Sequence, residues 1–373
     1  MVSLPDSDLL GLGFDILGEY SVKSVKGVVA ALPPGAASQF TFGGTTYDVP
    51  SGVRAFQGSG QPSMTGKALV FESGREVQSH FAAKAGVKGT YGGFSGAFEA
   101  LHGSDSSGGV SSWYGLLEGR LECFTMDLPN PSASPAFLAD GDVQAMLASP
   151  VFNPSKADVF FRVFKKFGTH IVTQVSVGAS IDYAATVNRS AASDKQAVSA
   201  KLDLEYKAAI ADAAATATAD WSTLGKTWAN SREVSLNVTG GDESLMMPAL
   251  DPGFGDNYSQ QYLAWVKTIN SNPKMIDFQL TPLSELSGFS GQLAQALDEA
   301  IDAYTGYGIY VEARKSPRGH SSLIEVSGKS VDLSDPYAGG RNQPPDASIQ
   351  LVVVDRCCCP RKIGQVRLSG LPG

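Results

Sequence analysis

No run of apolar residues in this 373-residue chain approaches the ~20 that a membrane-spanning helix requires. Cysteine is scarce as well: Cys123 and the triplet Cys357-Cys358-Cys359 are all there is. Their spacing fits neither a disulfide framework nor a zinc site. They read as free thiols, with a cross-link or lipid attachment at the triplet as the alternative. Basic residues fall short of acidic ones, 29 Lys and Arg against 37 Asp and Glu, for a net charge of -8. That balance excludes a nucleic-acid partner, which needs a basic surface, and argues against simple adsorption to anionic lipid. Membrane contact would need a specific lipid, a receptor or a partner protein. Catalytic signatures are missing too: no Gly-x-Ser-x-Gly, no His-Glu-x-x-His, no phosphate loop and no Cys-x-x-Cys. No enzyme activity, metal or cofactor is therefore expected. Met1 to Leu10 carries Asp6 and Asp8 and lacks the basic-then-apolar order of a secretory leader, so the expectation is a removed leader or unconventional export.

What is present is an ordinary soluble composition, 43% hydrophobic and 18% charged. The length allows two domains, or one large domain with an appendage. The clearest element begins at Ile171. Ile171, Thr173, Val175, Val177, Ala179, Ile181, Tyr183, Ala185 and Val187 share one parity, and the residues between them are mostly polar or small. Such alternation predicts a strand with one dry face. It is more than three times the usual ~5–6 residues and would span roughly 55–60 Å. A sheet that long must twist or bend, and Gly178 is where a missing side chain would let it.

Other segments are less decided. Val77, Phe81, Ala83, Ala85, Val87 and Tyr91 share a parity, after which Phe94, Ala97, Phe98 and Leu101 take helical spacing. Strand-like residues resume through Leu116, Leu121 and Phe124, residues 129–138 read as a Pro/Ser linker, and 155–166 as a helix capped by Ser155. Val198, Ala200, Leu202, Leu204, Tyr206, Ala208 and Ile210 alternate with polar residues, yet Ala, Leu, Lys and Glu favour helix. Pattern and propensity conflict there, which suggests two states: helical when soluble, extended when assembled. A surface helix of accidental parity is the alternative. A strand over Val234–Val238 ends at Gly240-Gly241-Asp242. A helix follows from Tyr258, then alternation over Ile276–Leu280, then a final helix through Leu293, Leu297 and Ile301. Residues 306–373 suggest short strands between Gly/Pro/Ser loops.

Phe167-Gly168-Thr169-His170-Ile171, with Gly178-Ala179 following, resembles the signature of the membrane attack complex/perforin (MACPF) family, which is related to the cholesterol-dependent cytolysins. Phe167, Ile171 and Ala179 depart from the usual Tyr or Trp, aromatic residue and second glycine. Residues 9–20 resemble the opening of such a domain. Gly240-Gly241, the Trp-bearing helix, Asn272-Pro273 and the run into Pro282-Leu283 resemble its end, so the likeness spans roughly 9–305. It implies an α+β fold: a bent, twisted four-stranded antiparallel sheet flanked by two helical clusters. The MACPF domain would be 1–305, with 306–373 a small β-rich module that targets membranes by analogy.

The resemblance further implies a secreted soluble monomer that assembles into a homo-oligomeric ring on a target membrane and unfurls two hairpins, from about 77–113 and 189–231. A sheet in hydrocarbon must close into a barrel, and each crossing needs ~9–11 alternating residues. Lipid-facing residues would be Val77, Phe81, Ala83, Ala85, Val87, Val198, Leu202, Leu204 and Tyr206. Lys84, Lys88, Lys201, Asp203, Glu205 and Lys207 would face the lumen. Gly168, Gly178, Gly240 and Gly241 would be bend or hinge positions. Trp113, Trp221 and Trp228 would be core residues or interfacial girdles. His170 would be a structural histidine at the sheet corner, or else a pH sensor. The alternative function is a non-lytic MACPF scaffold that binds, adheres or recognises.

Overall fold

A computed structural model describes residues 2–58, 64–88, 97–98, 112–189, 192, 194–209, 232–246, 258–305, 308–314, 321–327 and 348–351. The strands are β1 (Val2–Ser3), β2 (Leu12–Phe14), β3 (Val25–Val28), β4 (Ala36–Phe42), β5 (Thr45–Pro50), β6 (Arg54–Phe56), β7 (Thr65–Phe71), β8 (Ser112–Asp127), β9 (His170–Asn188), β10 (Arg232–Thr239), β11 (Lys274–Pro282), β12 (Gly308–Arg314), β13 (Ser321–Ser327) and β14 (Ser348–Leu351). The helices are α1 (Gly74–Lys84), α2 (Pro135–Leu138), α3 (Gly141–Ala148), α4 (Asp158–Phe167), α5 (Lys195–Ala209), α6 (Tyr258–Thr268) and α7 (Gly291–Tyr304). They fall into two compact units, Met1–Asp140 with Phe164–Phe289, and Gly141–Val163 with Ser290–Gly373.

The spine of the first unit is the antiparallel pair β8–β9, in register from Ser112↔Asn188 to Asp127↔Gln174. In the distal half, towards Asn188, β7 joins β8 and β10 joins β9, giving four antiparallel strands in the order β7-β8-β9-β10. In the proximal half, towards His170, β11 replaces β10 along β9, β2 pairs beside it and β6 takes the end of β8. A separate sheet, β1-β5-β4, covers the proximal half, with Phe40, Phe42 and Tyr47 ringed around Phe124 at 5.3–6.4 Å. The long alternating run is thus a single strand, as its period predicts. It is not dry on one face only: Val175, Val177, Ala179 and Ile181 are buried on one parity, and Ser176, Ser180 and Ala184 on the other. Small side chains can be covered on both faces at low cost, and here both faces carry a layer.

One expectation about local structure is corrected, and one conflict is resolved as expected for the soluble form. The alternation through Val77–Val87 makes no strand in this state; its first part is α1, capped by Ser73, whose side chain accepts from the backbone N–H of Glu76 at 3.3 Å. The ambiguous run from Val198 is helix α5, so propensity prevails over parity. Segment limits shift as well. β8 already begins at Ser112, so 112–113 belong to the sheet. The linker ends in α2, capped by Ser134, and α4 starts at Asp158 after a short 3₁₀ turn. The second unit contains α3, α7 and an antiparallel three-stranded sheet in the order β13-β12-β14. Phe94, Leu101, residues 211–219, Trp221, Trp228 and Cys357–Cys359 lie outside the described residues.

Candidate functional site

The signature stretch forms a buried corner where β2, β9 and β11 meet. Gly168 terminates α4: its N–H donates to the Phe164 carbonyl at 2.7 Å, its φ is +76°, and a Cβ there would stand 2.3 Å from the Phe14 carbonyl oxygen. Thr169 N–H donates to Phe14 O (3.0 Å), and Leu283 N–H donates to Thr169 O (3.0 Å). The imidazole Nδ1 of His170 lies 2.9 Å from Thr169 Oγ1, and both residues are buried. Burial pushes the pKa of His170 down to about 3, so the ring stays neutral through the ~5–8 window in which histidine switches work.

The other predicted bend glycines gather where β10 gives way to β11. Gly178 sits opposite an irregularity in β8 at Cys123, where a Cβ would meet the Leu121 carbonyl at 2.0 Å. Gly240 approaches so closely that its own Cβ would lie 2.3 Å from the Gly178 carbonyl, and Gly241 lies beside the Trp265 indole. Trp265 Nε1 donates to Gly240 O at 2.8 Å and ties α6 to this crossing. Cys123 is a buried free thiol, and burial pushes its pKa up to about 12.

Above the crossing, the two faces of the distal sheet carry different helices. Alternation along β8 sends Tyr114, Leu116 and Glu118 to one face, and Trp113, Gly115 and Leu117 to the other. On the first face α1 buries Val77, Phe81 and Ala82, followed by Ala85 and Val87, in the main hydrophobic core. Its last turn holds an ionic cluster. Lys84 Nζ is 2.7 Å from Glu118 Oε1 and 3.3 Å from Asp277 Oδ2, and Tyr20 donates to Asp277 Oδ1 at 2.5 Å. Arg120 joins Glu118 to Asp182 (3.4 and 2.5 Å), and His80 Nε2 stands 3.5 Å from Glu118 Oε2. Burial by itself would raise the pKa of Glu118; His80, Lys84 and Arg120 outweigh it and hold the carboxyl well below its usual range. Two hydrogen bonds from β11 pin the end of the helix: Gln279 Nε2 to Lys84 O (2.7 Å) and Leu280 N–H to Ala85 O (2.9 Å). Tyr20, Phe81, Arg120, Ser180 and Asp182 border a cleft of about 340 Å³ beside this cluster.

On the opposite face α5 packs through Val198 and Leu202 into a smaller apolar cluster with Trp113, Ala185 and Val187. Gly115 provides the socket, since a Cβ there would come within 2.6 Å of Leu202 Cδ1. Trp113 is a core residue, its indole donating to Ala192 O at 3.3 Å under the Arg189 guanidinium.

Of the residues predicted to face lipid, Val77, Phe81, Ala85, Val87, Val198 and Leu202 are buried in these seats, and Ala83 is exposed. Of those predicted to face a lumen, Lys84 is held in the ionic cluster and Lys88 projects into solvent. Lys201 is half-buried and Asp203 exposed. Leu204, Glu205, Tyr206 and Lys207 lie on the α5 backbone, with side chains outside the described set. Sequence reasoning missed Glu118, Arg120 and Asp277. The available signal was three charges, Glu118, Arg120 and Glu122, on one parity of a largely apolar strand. No helix among the described residues is long and apolar enough to cross a membrane, which leaves strand crossing untouched.

The family model described as "MAC/Perforin domain" matches residues 4–313. Human Perforin-1 is 25% identical over 239 residues, which covers 58% of this chain and 39% of that protein. The crystal structure of GNIP1Aa from Chromobacterium piscinae superposes with a TM-score of 0.61 at 16% identity, over 88% of this chain and 65% of the other. The chain thus spans less than two thirds of each. With a bent antiparallel sheet, helices on both its faces and a family match over most of its length, this chain belongs to the MAC/Perforin domain family.

Proposed function

We propose that this protein is a pore former: subunits assemble into a ring on a target membrane, and α1 and α5 with their flanking chain leave the sheet as two β-hairpins per subunit. It acts by assembly and insertion rather than catalysis, as a soluble form released to meet that membrane. One observation carries the reading. Four is both a helical neighbour spacing and an even number, so Val77, Phe81 and Ala85, or Val198 and Leu202, share one face as helix and as strand. The independent test of the strand code lies at the positions between, which share that face only when extended. Those positions are Ser79, Ala83 and Ala200; all three are exposed on their helices, and two of them are alanine. Alanine is the apolar residue that an exposed helix tolerates best, and it still keeps the strand face apolar. At 15 residues, α5 also exceeds the ~9–11 needed for one crossing.

The test uses that exposure. Ala83→Lys and Ala200→Lys should leave the soluble monomer as stable as the parent. Each would cost ~2–4 kcal/mol per subunit at a bilayer midplane, so dye release should be abolished. Asp203→Lys, exposed on the helix and on the polar parity, should leak like the parent. The assay uses vesicles of zwitterionic, anionic and sterol-containing composition, with rings followed by electron microscopy. Undiminished leakage from both lysine variants would sink the hairpin reading, and parent rings without leakage would favour the non-lytic scaffold.

A further inference from the structure

The helices on the two faces are fastened by different forces. α5 sits in a small apolar cluster, and its first residue, Lys195, reaches Glu72 and Glu76 at 3.3 and 3.1 Å across a site where all three side chains are 40–51% exposed. Exposed pairs of this kind contribute little and are cheap to part. α1 is rooted in the main core and ends in a cluster whose side chains are far less open: Lys84 at 15%, Glu118 at 10% and Asp277 at 26%.

We propose that Lys84, bridging Glu118 of β8 and Asp277 of β11, is a latch that sets the order of release, with α5 leaving its face first and α1 second. This rests on the reading that both segments leave the sheet. The physical reason is charge balance. With Lys84 in place, two cations face the three carboxylates Glu118, Asp182 and Asp277. His80 from α1 and the Tyr20 hydroxyl complete the surround. When α1 lifts, Lys84 and His80 go with it. Three carboxylates are then left around a single guanidinium in a half-dry site, and stripping one partner from a buried pair is far costlier than parting an exposed one. Departure of α5 disturbs none of these groups. It parts the exposed Lys195 pairs and lifts Val198 and Leu202 out of their apolar cluster.

Hydrogen exchange on the soluble full-length chain tests this without any membrane. Amides of 195–209 should exchange roughly tenfold or more faster than those of 74–84. Lys84→Met should speed exchange across 74–84 by about tenfold or more and leave 195–209 unchanged, while Lys84→Arg restores protection. If Lys84→Met does not fold, the double variant Lys84→Met/Glu118→Gln keeps the net charge of the site and should show the same selective loss. The latch is overturned if α1 opens as readily as α5 in the parent, or if neither variant changes the ratio. The two readings fail separately. Ordered exchange without leakage defeats the pore and spares the latch; leakage with the order reversed does the opposite.

Discussion

One sheet holds two helices, and it holds them in unlike ways. On the face of Glu118, α1 combines an apolar stripe with ion pairs and two hydrogen bonds from β11. On the face of Gly115, α5 is seated mainly by shape, a leucine filling the space a glycine leaves. Apolar seating loses its energy gradually as a helix slides away, because dispersion and burial are sums of many small terms. A buried ionic seat loses most of its energy at once. If both helices leave the sheet as proposed above, one parts by degrees and the other only past a threshold.

The contrast can be broken in graded steps. Leu202→Ala empties the Gly115 socket and should cost about 2–5 kcal/mol, seen as faster hydrogen exchange across 195–209 with 74–84 unmoved. Equal loosening of both helices would show that the two seats are one cooperative unit. Next in size is an effect of acid that should favour neither face. Unfolded His170 takes up a proton near pH 6.5, whereas in the folded corner it does so only at about 3. The unfolded state thus binds more protons between those values, and stability falls by about 1.4 kcal/mol per pH unit as pH drops through them. Glu118 has the same sign in a lower window: with its pKa depressed, the stability it contributes is complete above the ordinary carboxylate range and falls as pH drops below it, outside the span from 7 to 5. Urea midpoints from pH 7 to 5 should consequently slope in the parent and flatten in His170→Gln, with exchange of α1 and α5 keeping its ratio. The smallest effect belongs to Lys195→Ala, at most about 1 kcal/mol and erased by salt, because its partners are exposed.

Much of this fold is legible in the sequence where a single rule governs. β9 reads directly, because period two over so many residues admits no other element. α5 reads as conflict, and the conflict itself is informative. α1 was hidden by arithmetic: Val77, Phe81 and Ala85 obey the strand parity because they obey the helix spacing, and Ser73 with Glu76 was the local sign that decides for a helix. The buried polar parity of β9 could not be foreseen from β9, since what covers it lies elsewhere in the chain. The ionic cluster was unreadable for the same reason. Lys84, Glu118 and Asp277 come from three separate elements, and only the charges Glu118, Arg120 and Glu122 inside a largely apolar strand hinted that a partner must arrive.

Strand β9 is served along one edge by two partners in succession, β10 from Ser180 onward and β11 up to Gly178. Where the two partners meet, the Gly241 N–H donates to the Asn272 carbonyl at 2.8 Å, outside both ladders. The distal ladder can therefore change its curvature while every rung of the proximal ladder remains made, so deformation in one half carries no debt in the other. Mechanical independence of this kind lets a single continuous strand act as a fixed post at one end and a moving panel at the other.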